Sequence, residues 1–480
     1  MARINTNVPA IVAQRTLRST QRDLQVSLER LSSGLRINRG ADDPAGLINS
    51  ESLRAEIAGT DKAISNSQRA INIIATSEGA LNEVASLLID IQGLIVEIAN
   101  DAAMSDDEKS ANQLQIDSAI ESITRIANTT SFAGRKLLNG SLDYVTSGVH
   151  TSALASVSIN GVQFGSYSYI PVDVAVTTSA QKAELQFRGS ATLNDTSLVI
   201  AGNKGTTTIE FQAGQSVDQM LKAVNLDSQA TGVEAIYINS ANPASGISFR
   251  SVGYGNDQFV EIKPLLTGGP FIVTDATGSM VQRDEGRDAV GMINGATVTG
   301  RGLDLFLNTR TLDMQITLNE GMGLGSTSFA ITGGGALFQL GPDVSPNQQV
   351  NIGIQSIAAA MLGNANVGFL SQIQQGGEFE VSRSTSNAHQ ASLILNQAIR
   401  QVAVLRGRLG AFERNTLQTN ISSLSITMEN LSSSESTIRD TDFAAETSRL
   451  TRSQILVNAG TSVLSIANTT PQSVLSLLQQ

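Results

Sequence analysis

The stretch LSSGLRINRGADDPAG, residues 31–46, interrupts what otherwise reads as one long helix. Upstream, Leu17, Leu24, Leu28, Leu31 and Leu35 fall at steps of seven, four, three and four, which is a heptad seam. Gly34 and Gly40 lower helix propensity, and Pro44 cannot continue a helix from upstream. Asp43 can cap a new helix with Pro44 at its first position. The stretch therefore predicts a stop, a spoke and a restart.

Working outward, the seam resumes as Leu53, Ile57, Ile64, Ile71, Ile74 and Leu81. It continues as Val84, Leu88, Ile91, Ile95 and Ile98 at alternating steps of three and four. A helix over 53–98 would be roughly 70 Å long, the length of a coiled-coil rod rather than an ordinary globular helix. Ser105-Asp106-Asp107-Glu108 reads as a capping box, which accounts for the acidic cluster without a bound cation. The helix it opens carries Ile116, Ile120, Ile123 and Ala127 on one face and can fold back antiparallel on the rod.

From about 140 to 375 the character changes to short β-branched runs and turn signals. SVSINGVQF (156–164) and GMINGATV (291–298) each hold an Asn-Gly pair, which favours a type I′ hairpin. TSLVIAGNKGTTTIEF (196–211) reads as a further hairpin, with QSVDQMLKAVN (215–225) as a short helix packed on it. TGGGALFQLG (332–341) lacks the Lys and the strand–helix context of a phosphate loop and reads as a flexible turn. Near 384 the heptads return with Ile394, Ala398, Val402, Leu405, Leu409 and Phe412, then Ile421, Leu424, Met428 and Leu431. After a polar break at 432–442, Leu450, Val457 and Leu464 repeat every seven, and the chain closes with PQSVLSLLQQ. The fold class expected is mainly α, with long antiparallel helices and a coiled-coil rod from both termini, and an inserted β-rich central region. The terminal seams (Leu17, Leu24, Leu28; Leu450, Val457, Leu464) are short and marginal alone. They would be satisfied by packing on copies of themselves.

Composition narrows the function. The net charge is −11, which argues against nucleic acid as the main partner. Residues 1–40 nevertheless carry seven Arg (Arg3, Arg15, Arg18, Arg22, Arg30, Arg36, Arg39) against Asp23 and Glu29, a local balance of +5. That face is either solvated or meets acidic neighbours in an assembly. Cysteine is absent, so disulfide and thiolate chemistry are excluded. The only histidines are His150 and His389, and no HExxH, GxxxxGK[ST] or GxSxG run occurs. No enzyme, metal or cofactor is expected. No run approaches 18 apolar residues, so no membrane insertion is expected. The start, MARINTNVPA, has no Sec-type apolar region, so any export would use another route.

These motifs resemble bacterial flagellin. MARINTNVPAI and LERLSSGLRINRGADDPAGL are similar to its amino-terminal stretches, and NTTSFAGRKLLNG (128–140) to the turn closing its N-terminal helical region. LRGRLGAFERN (405–415), SESTIRDTDFAAET (434–447), TRSQIL (451–456) and PQSVLSLL (471–478) resemble its C-terminal half in the same order. The resemblance covers 1 to about 145 and about 335 to 480, and the middle only loosely.

The resemblance implies a subunit that polymerises into the extracellular flagellar filament for motility. It implies unfolded export through the flagellar type III apparatus. It implies self-association, with an export chaperone and cap and hook-associated proteins as further partners. The domains it implies are 1–40 plus 443–480 as inner-core terminal helices, 41–172 plus 336–442 as a helical rod domain with a β-hairpin, and 173–335 as surface-exposed outer modules. The alternatives are a hook–filament junction protein and a filament protein whose middle is an adhesin. The candidate joint residues are Leu35, Arg36, Asn38, Arg39, Asp42 and Asp43 on the outgoing path and Arg439, Asp440 and Asp442 on the return. Arg36 or Arg39 is expected near Asp440 or Asp442, across the spokes or between subunits.

The family's stretch recognised by an innate toll-like receptor places a Gln-Arg pair and a Leu on the rod and a Glu on the next helix. Here these positions fall on Ile89 and Asp90, on Leu94, and on Gln115. Asp in place of Arg reverses the charge at a contact that needs a cation. The expected outcome is weak or absent activation of receptor-expressing reporter cells by the purified monomer; full activation would contradict this reading.

Overall fold

The structure is a computed structural model describing residues 6–478 apart from 166, 193 and 266–270. Residues 1–5, with Arg3 and the MARIN start, and the closing Gln479 and Gln480 lie outside the described residues. The helices are α1 (Val8–Ser33), α2 (Pro44–Ile98), α3 (Asp106–Thr129), α4 (Val217–Leu226), α5 (Ser228–Thr231), α6 (Thr385–Phe412), α7 (Thr419–Arg439) and α8 (Phe443–Leu478). A π-helical turn, Glu413–Gln418, carries the chain from α6 into α7. Helix accounts for 47% and strand for 25% of the chain, so the β insertion is a major part of the molecule.

Two compact units are present. The first comprises Met1–Ala70, Gln339–Val344 and Arg414–Gln480; the second comprises Ile71–Phe338 and Ser345–Glu413.

In the first unit α1 and α8 run against each other, with the Asn7 side-chain amide donating to the Ala467 carbonyl at 2.7 Å at one end. Asn7 also caps α1 by accepting from the Ala10 amide at 3.1 Å. The expected polar break at 432–442 is much shorter. Residues 432–439 are helical, and only Asp440–Asp442 separate α7 from α8. Ser and Thr there bond back to carbonyls four residues earlier, as Ser434 does to Asn430 and Thr437 to Ser433, which keeps a polar run helical.

In the second unit the buried residues Leu81, Val84, Leu88, Ile91 and Ile95 of α2 keep the expected steps of three and four. Ile116, Ile120, Ile123 and Ala127 of α3, and Ile394, Ala398, Val402, Leu405 and Leu409 of α6, are buried likewise. Ser105 and Glu108 form the expected capping box. The Asn112 amide donates to the Glu97 carboxylate at 3.1 Å, tying the start of α3 to the end of α2. Against expectation, α2 holds an 18-residue window of mean hydropathy 1.4, apolar enough by length and composition to cross a membrane. Its charged residues Glu83, Asp90 and Glu97 are exposed and its buried residues share one stripe, which is the pattern of an amphipathic rod.

The β region holds two modules, one inserted in the other. The outer-numbered module joins a five-stranded antiparallel sheet to a three-stranded one (Asp304–Asn308, Leu312–Leu318, Leu154–Val162). Its core includes Val172, Val174, Ile293, Leu305, Ile316 and Ile331. The chain leaves at Gln181 and returns at Arg287, where the two bridge. Between them lies the second module, in which α4 packs on a four-stranded and a three-stranded sheet around Phe211, Met220, Phe249 and Ile262. The expected boundary at 172/173 falls inside the strand Ile170–Thr178, which pairs with Gly325–Gly334 along its length.

Of the two Asn-Gly pairs expected to form hairpins, Asn160-Gly161 and Asn294-Gly295, only the second turns. Asn294 (φ 50°) and Gly295 (φ 81°) make the hairpin between Val290–Ile293 and Ala296–Thr299. Asn160-Gly161 instead lies within the continuous strand Leu154–Val162, because its partner Leu312–Leu318 runs the full length beside it and absorbs a bulge there. The 196–211 hairpin and the following helix form as expected. TGGG is not a flexible turn. Gly334 (φ 95°) and Gly335 (φ 78°) bend the strand around Tyr144, whose ring sits 2.8 Å from where a Cβ on Gly335 would lie.

Candidate functional site

The joint is built from the backbone first. Gly34 ends α1 in the left-handed conformation (φ 74°), its N–H donating to the Arg30 carbonyl at 2.9 Å. An alanine there would cost about 1 kcal/mol. The chain then runs antiparallel to the return path. Leu35 bridges Asp440, the Arg36 N–H donates to the Arg439 carbonyl at 2.7 Å, and the Thr441 N–H donates to the Gly34 carbonyl at 2.9 Å. The Arg36 guanidinium donates to the Ile438 carbonyl. The two spokes are joined by main-chain bonds.

The charges are used locally. The Asp42 carboxylate accepts from the N–H groups of Asn38 and Arg39 at 3.1 and 2.9 Å, folding the loop on itself. Those bonds, the Arg39 amide first, hold its carboxyl below the usual range. The Asn38 amide donates to the Leu35 carbonyl at 3.1 Å. The Asp43 carboxylate caps α2 by accepting from the Gly46 N–H at 2.9 Å. A Cβ at Gly46 would lie 2.4 Å from Asp43 Oδ2, so glycine lets the cap close. Asp442 does the same for α8, accepting from Ala444 and Ala445 at 2.9 and 3.1 Å. Asp440 accepts from the Ser436 hydroxyl at 2.6 Å.

The expected ion pairs across the spokes therefore do not form within the chain. Arg39 pairs with Glu29 at 3.1 Å, and Arg36 lies 3.8 Å from Asp43. Asp440 and Asp442 are already occupied by nearby hydroxyl and amide donors. The ion pair that links the return path to α2 is Arg439–Glu51 at 2.9 Å. The Arg439 bond, with Arg54 second, holds the Glu51 carboxyl below its ordinary value.

The helix seam beyond the joint also differs from the expected set. Leu17, Leu24, Leu450, Val457 and Leu464 are half-buried, but Leu28 is 50% exposed. A pure 3–4 spacing through Leu17, Thr20, Leu24, Ser27 and Leu31 turns Leu28 away, and Thr20 and Ser27 are buried in the seam. On α8 the same spacing runs Glu446, Leu450, Ser453, Val457, Gly460 and Leu464. The polar and glycine members were missed because apolar periodicity alone does not register them; stepping back four from Leu450 would have found Glu446. The opposite faces stay uncovered. Val8, Ile11 and Val12 on α1 and Ile455, Leu456, Val463 and Ile466 on α8 are exposed, the last at 65%. In the second unit Ile89, Asp90 and Gln115 are exposed and Leu94 is half-buried. Among the described residues no group of His, Cys, Asp and Glu could hold a metal ion.

The described chain is thus a pair of terminal helices with exposed apolar outer faces, carrying a β insertion between them. Comparison with known proteins assigns the family. Family models match residues 4–143 (bacterial flagellin N-terminal helical region), 393–478 (flagellin C-terminal helical region) and 197–253 (flagellin hook IN motif). The chain is 30% identical to a flagellin of Clostridium tyrobutyricum over 472 residues, covering 97% of this chain and 98% of that one. It is 29% identical to flagellin B of Vibrio cholerae over 476 residues, covering 99% of both. It is also 29% identical to the flagellin of Salmonella typhimurium over 518 residues, covering 99% of both. Among solved structures, the Escherichia coli flagellar cap protein matches at TM-score 0.30 and 22% identity, covering 45% of this chain and 64% of that one. A Burkholderia pseudomallei FliC structure matches at 0.24 and 16%, covering 73% and 99%. Scores this low carry no argument. The chain belongs to the bacterial flagellin family, and it is a structural subunit of the flagellar filament.

The joint makes a pH prediction. A carboxyl held below its ordinary value contributes stability that is present above that value, 3.8 for Asp, and is lost as pH falls through the lowered one. Asp42→Asn is therefore expected to lower the melting temperature at neutral pH, and the gap from wild type to shrink as pH drops below about 4. A gap independent of pH would contradict the assignment.

Proposed function

We propose that the chain polymerises with copies of itself through the outward faces of α1 and α8, with the joint fixing where α1 stops and α2 starts. The observation that carries this is the run of exposed Ile455, Leu456, Val463 and Ile466 on α8, matched by Val8, Ile11 and Val12 on α1. Such faces at both chain ends are costly in water, roughly 1.5–3 kcal/mol for each large side chain left unburied.

In this reading residues 1–40 and 443–480 form the inner core, 41–172 and 336–442 surround it as the rod, and 173–335 face outward. The strand Ile170–Thr178, shared across the boundary, ties the outward modules to the β-hairpin region instead of leaving them on a free linker. The filament lies outside the cell. Delivery follows the family's route, with an export chaperone before secretion and cap and hook-associated proteins at the filament ends. The exposed Asp90 supports weak recognition by the innate receptor. Arg36, whose guanidinium reaches the Ile438 carbonyl, ties the two spokes together, while Arg39, paired with Glu29, holds the outgoing one.

Seeding purified protein with filament fragments tests this. Wild type is expected to elongate the seeds. Ile455→Asp combined with Ile466→Asp is expected to raise the critical concentration at least about tenfold, since 1.4 kcal/mol is a factor of ten. Charge reversal at Arg36 and Arg39 together is expected to impair assembly and swimming. Unchanged elongation by both variants would overturn the proposal.

A further inference from the structure

Glu446 lies inside the α1–α8 seam, 3% exposed. It accepts from the Ser27 hydroxyl at 2.5 Å, with Arg30 at 3.8 Å on α1 and Arg449 at 3.3 Å on its own helix. Ser27 is itself 4% exposed. Burying a carboxylate is expensive unless it is paired, and an apolar residue of similar volume is often neutral or better for stability. The position calls for a reason other than stability.

The apolar part of this seam cannot fix its own alignment. Leu17, Leu24 and Leu31 recur every seven residues, as do Leu450, Val457 and Leu464. Sliding one helix by a heptad would again set these residues against one another. The main-chain bonds at Gly34–Arg36 are blind to residue identity. The carboxylate is not. In the observed alignment Gly460 faces Leu17 and Glu446 faces Ser27 and Arg30. A slide of one heptad in one direction lays Glu446 near Thr20 and Leu24, and in the other direction opposite the end of α1 at Gly34. In the first case Thr20 still offers a hydroxyl, but Asp23 takes the place of Arg30 and sets a like charge beside the carboxylate; in the second both the hydroxyl and the guanidinium are lost.

We propose that Glu446, with Ser27 and Arg30, is the element that selects the register of the terminal helix pair, and hence the only alignment from which the subunit can assemble. This rests on the terminal helices being the assembly core, and it adds which residues choose their alignment. A single buried polar residue in a seam is a well-attested means of fixing register at some cost in stability.

The cysteine-free chain makes the test clean. A Cβ at Gly460 would lie 3.8 Å from the Leu17 Cβ, inside the span of a disulfide. The native reporter is Leu17→Cys with Gly460→Cys; the slid reporter is Leu17→Cys with Ser453→Cys. Each is oxidised in the full-length chain, before and after seeded assembly, with and without Glu446→Leu. With Glu446 present, the native reporter is expected to cross-link and the slid one to stay reduced. With Glu446→Leu, the slid reporter is expected to cross-link at least about tenfold more, while thermal stability holds or rises. Glu446→Gln, which keeps a partner for Ser27, is expected to restore most of the native preference. If Glu446→Leu leaves the slid reporter reduced, the proposal is wrong, whether or not the variant assembles. If the soluble chain shows the expected switch yet wild type never elongates seeds, the register role stands and the polymerisation reading fails.

Discussion

A two-helix pair can bury only one stripe of each helix, and the rest of this molecule follows from that constraint. α1 and α8 meet along a seam of 3–4 spacing, and among the described residues their outer faces are exposed. Ile455, Val463 and Ile466 therefore remain in water. An isolated pair of this kind is marginal. In the proposed assembly neighbouring copies provide the missing contacts, which would make the fold of the terminal helices and the assembly of the filament one physical event.

Between α1 and α2 the chain stops and restarts. It does so with a left-handed glycine, two aspartate caps and main-chain bonding between outgoing and returning paths. Asp43 satisfies one and Asp442 two of the free N–H groups that a helix start exposes. This is why the dense charge of residues 36–43 yields few ion pairs across the spokes. The broken helix needs its carboxylates more than the arginines do.

Much of this was legible in the sequence, for a definite reason. Apolar period and capping chemistry act locally, and α2, α3, α6, the Ser105 box and the Asp43 cap all follow from them. What failed depended on partners distant in the chain. Asn160-Gly161 carries the same turn signal as Asn294-Gly295, but a full-length neighbouring strand holds it extended. Leu28 looked like a seam residue because leucines were counted, while the seam itself is kept by spacing and admits Ser27 and Glu446. The glycines of TGGG read as looseness, yet a side chain at Gly334 or Gly335 would run into the Asp143 carbonyl, Asn351 and Tyr144. The flagellin motifs in the terminal helices gave the family, but not which side chains of the joint would touch.

The most direct measurement of the central claim is amide hydrogen exchange, residue by residue, on the soluble chain and on the filament. Amides of α1 and α8 are predicted to exchange rapidly in the soluble chain and to become strongly protected in the filament, while those of the strands around Phe249 and Ile316 change little. Terminal helices already fully protected in the soluble chain, with the gain on assembly confined to the β modules, would contradict the account.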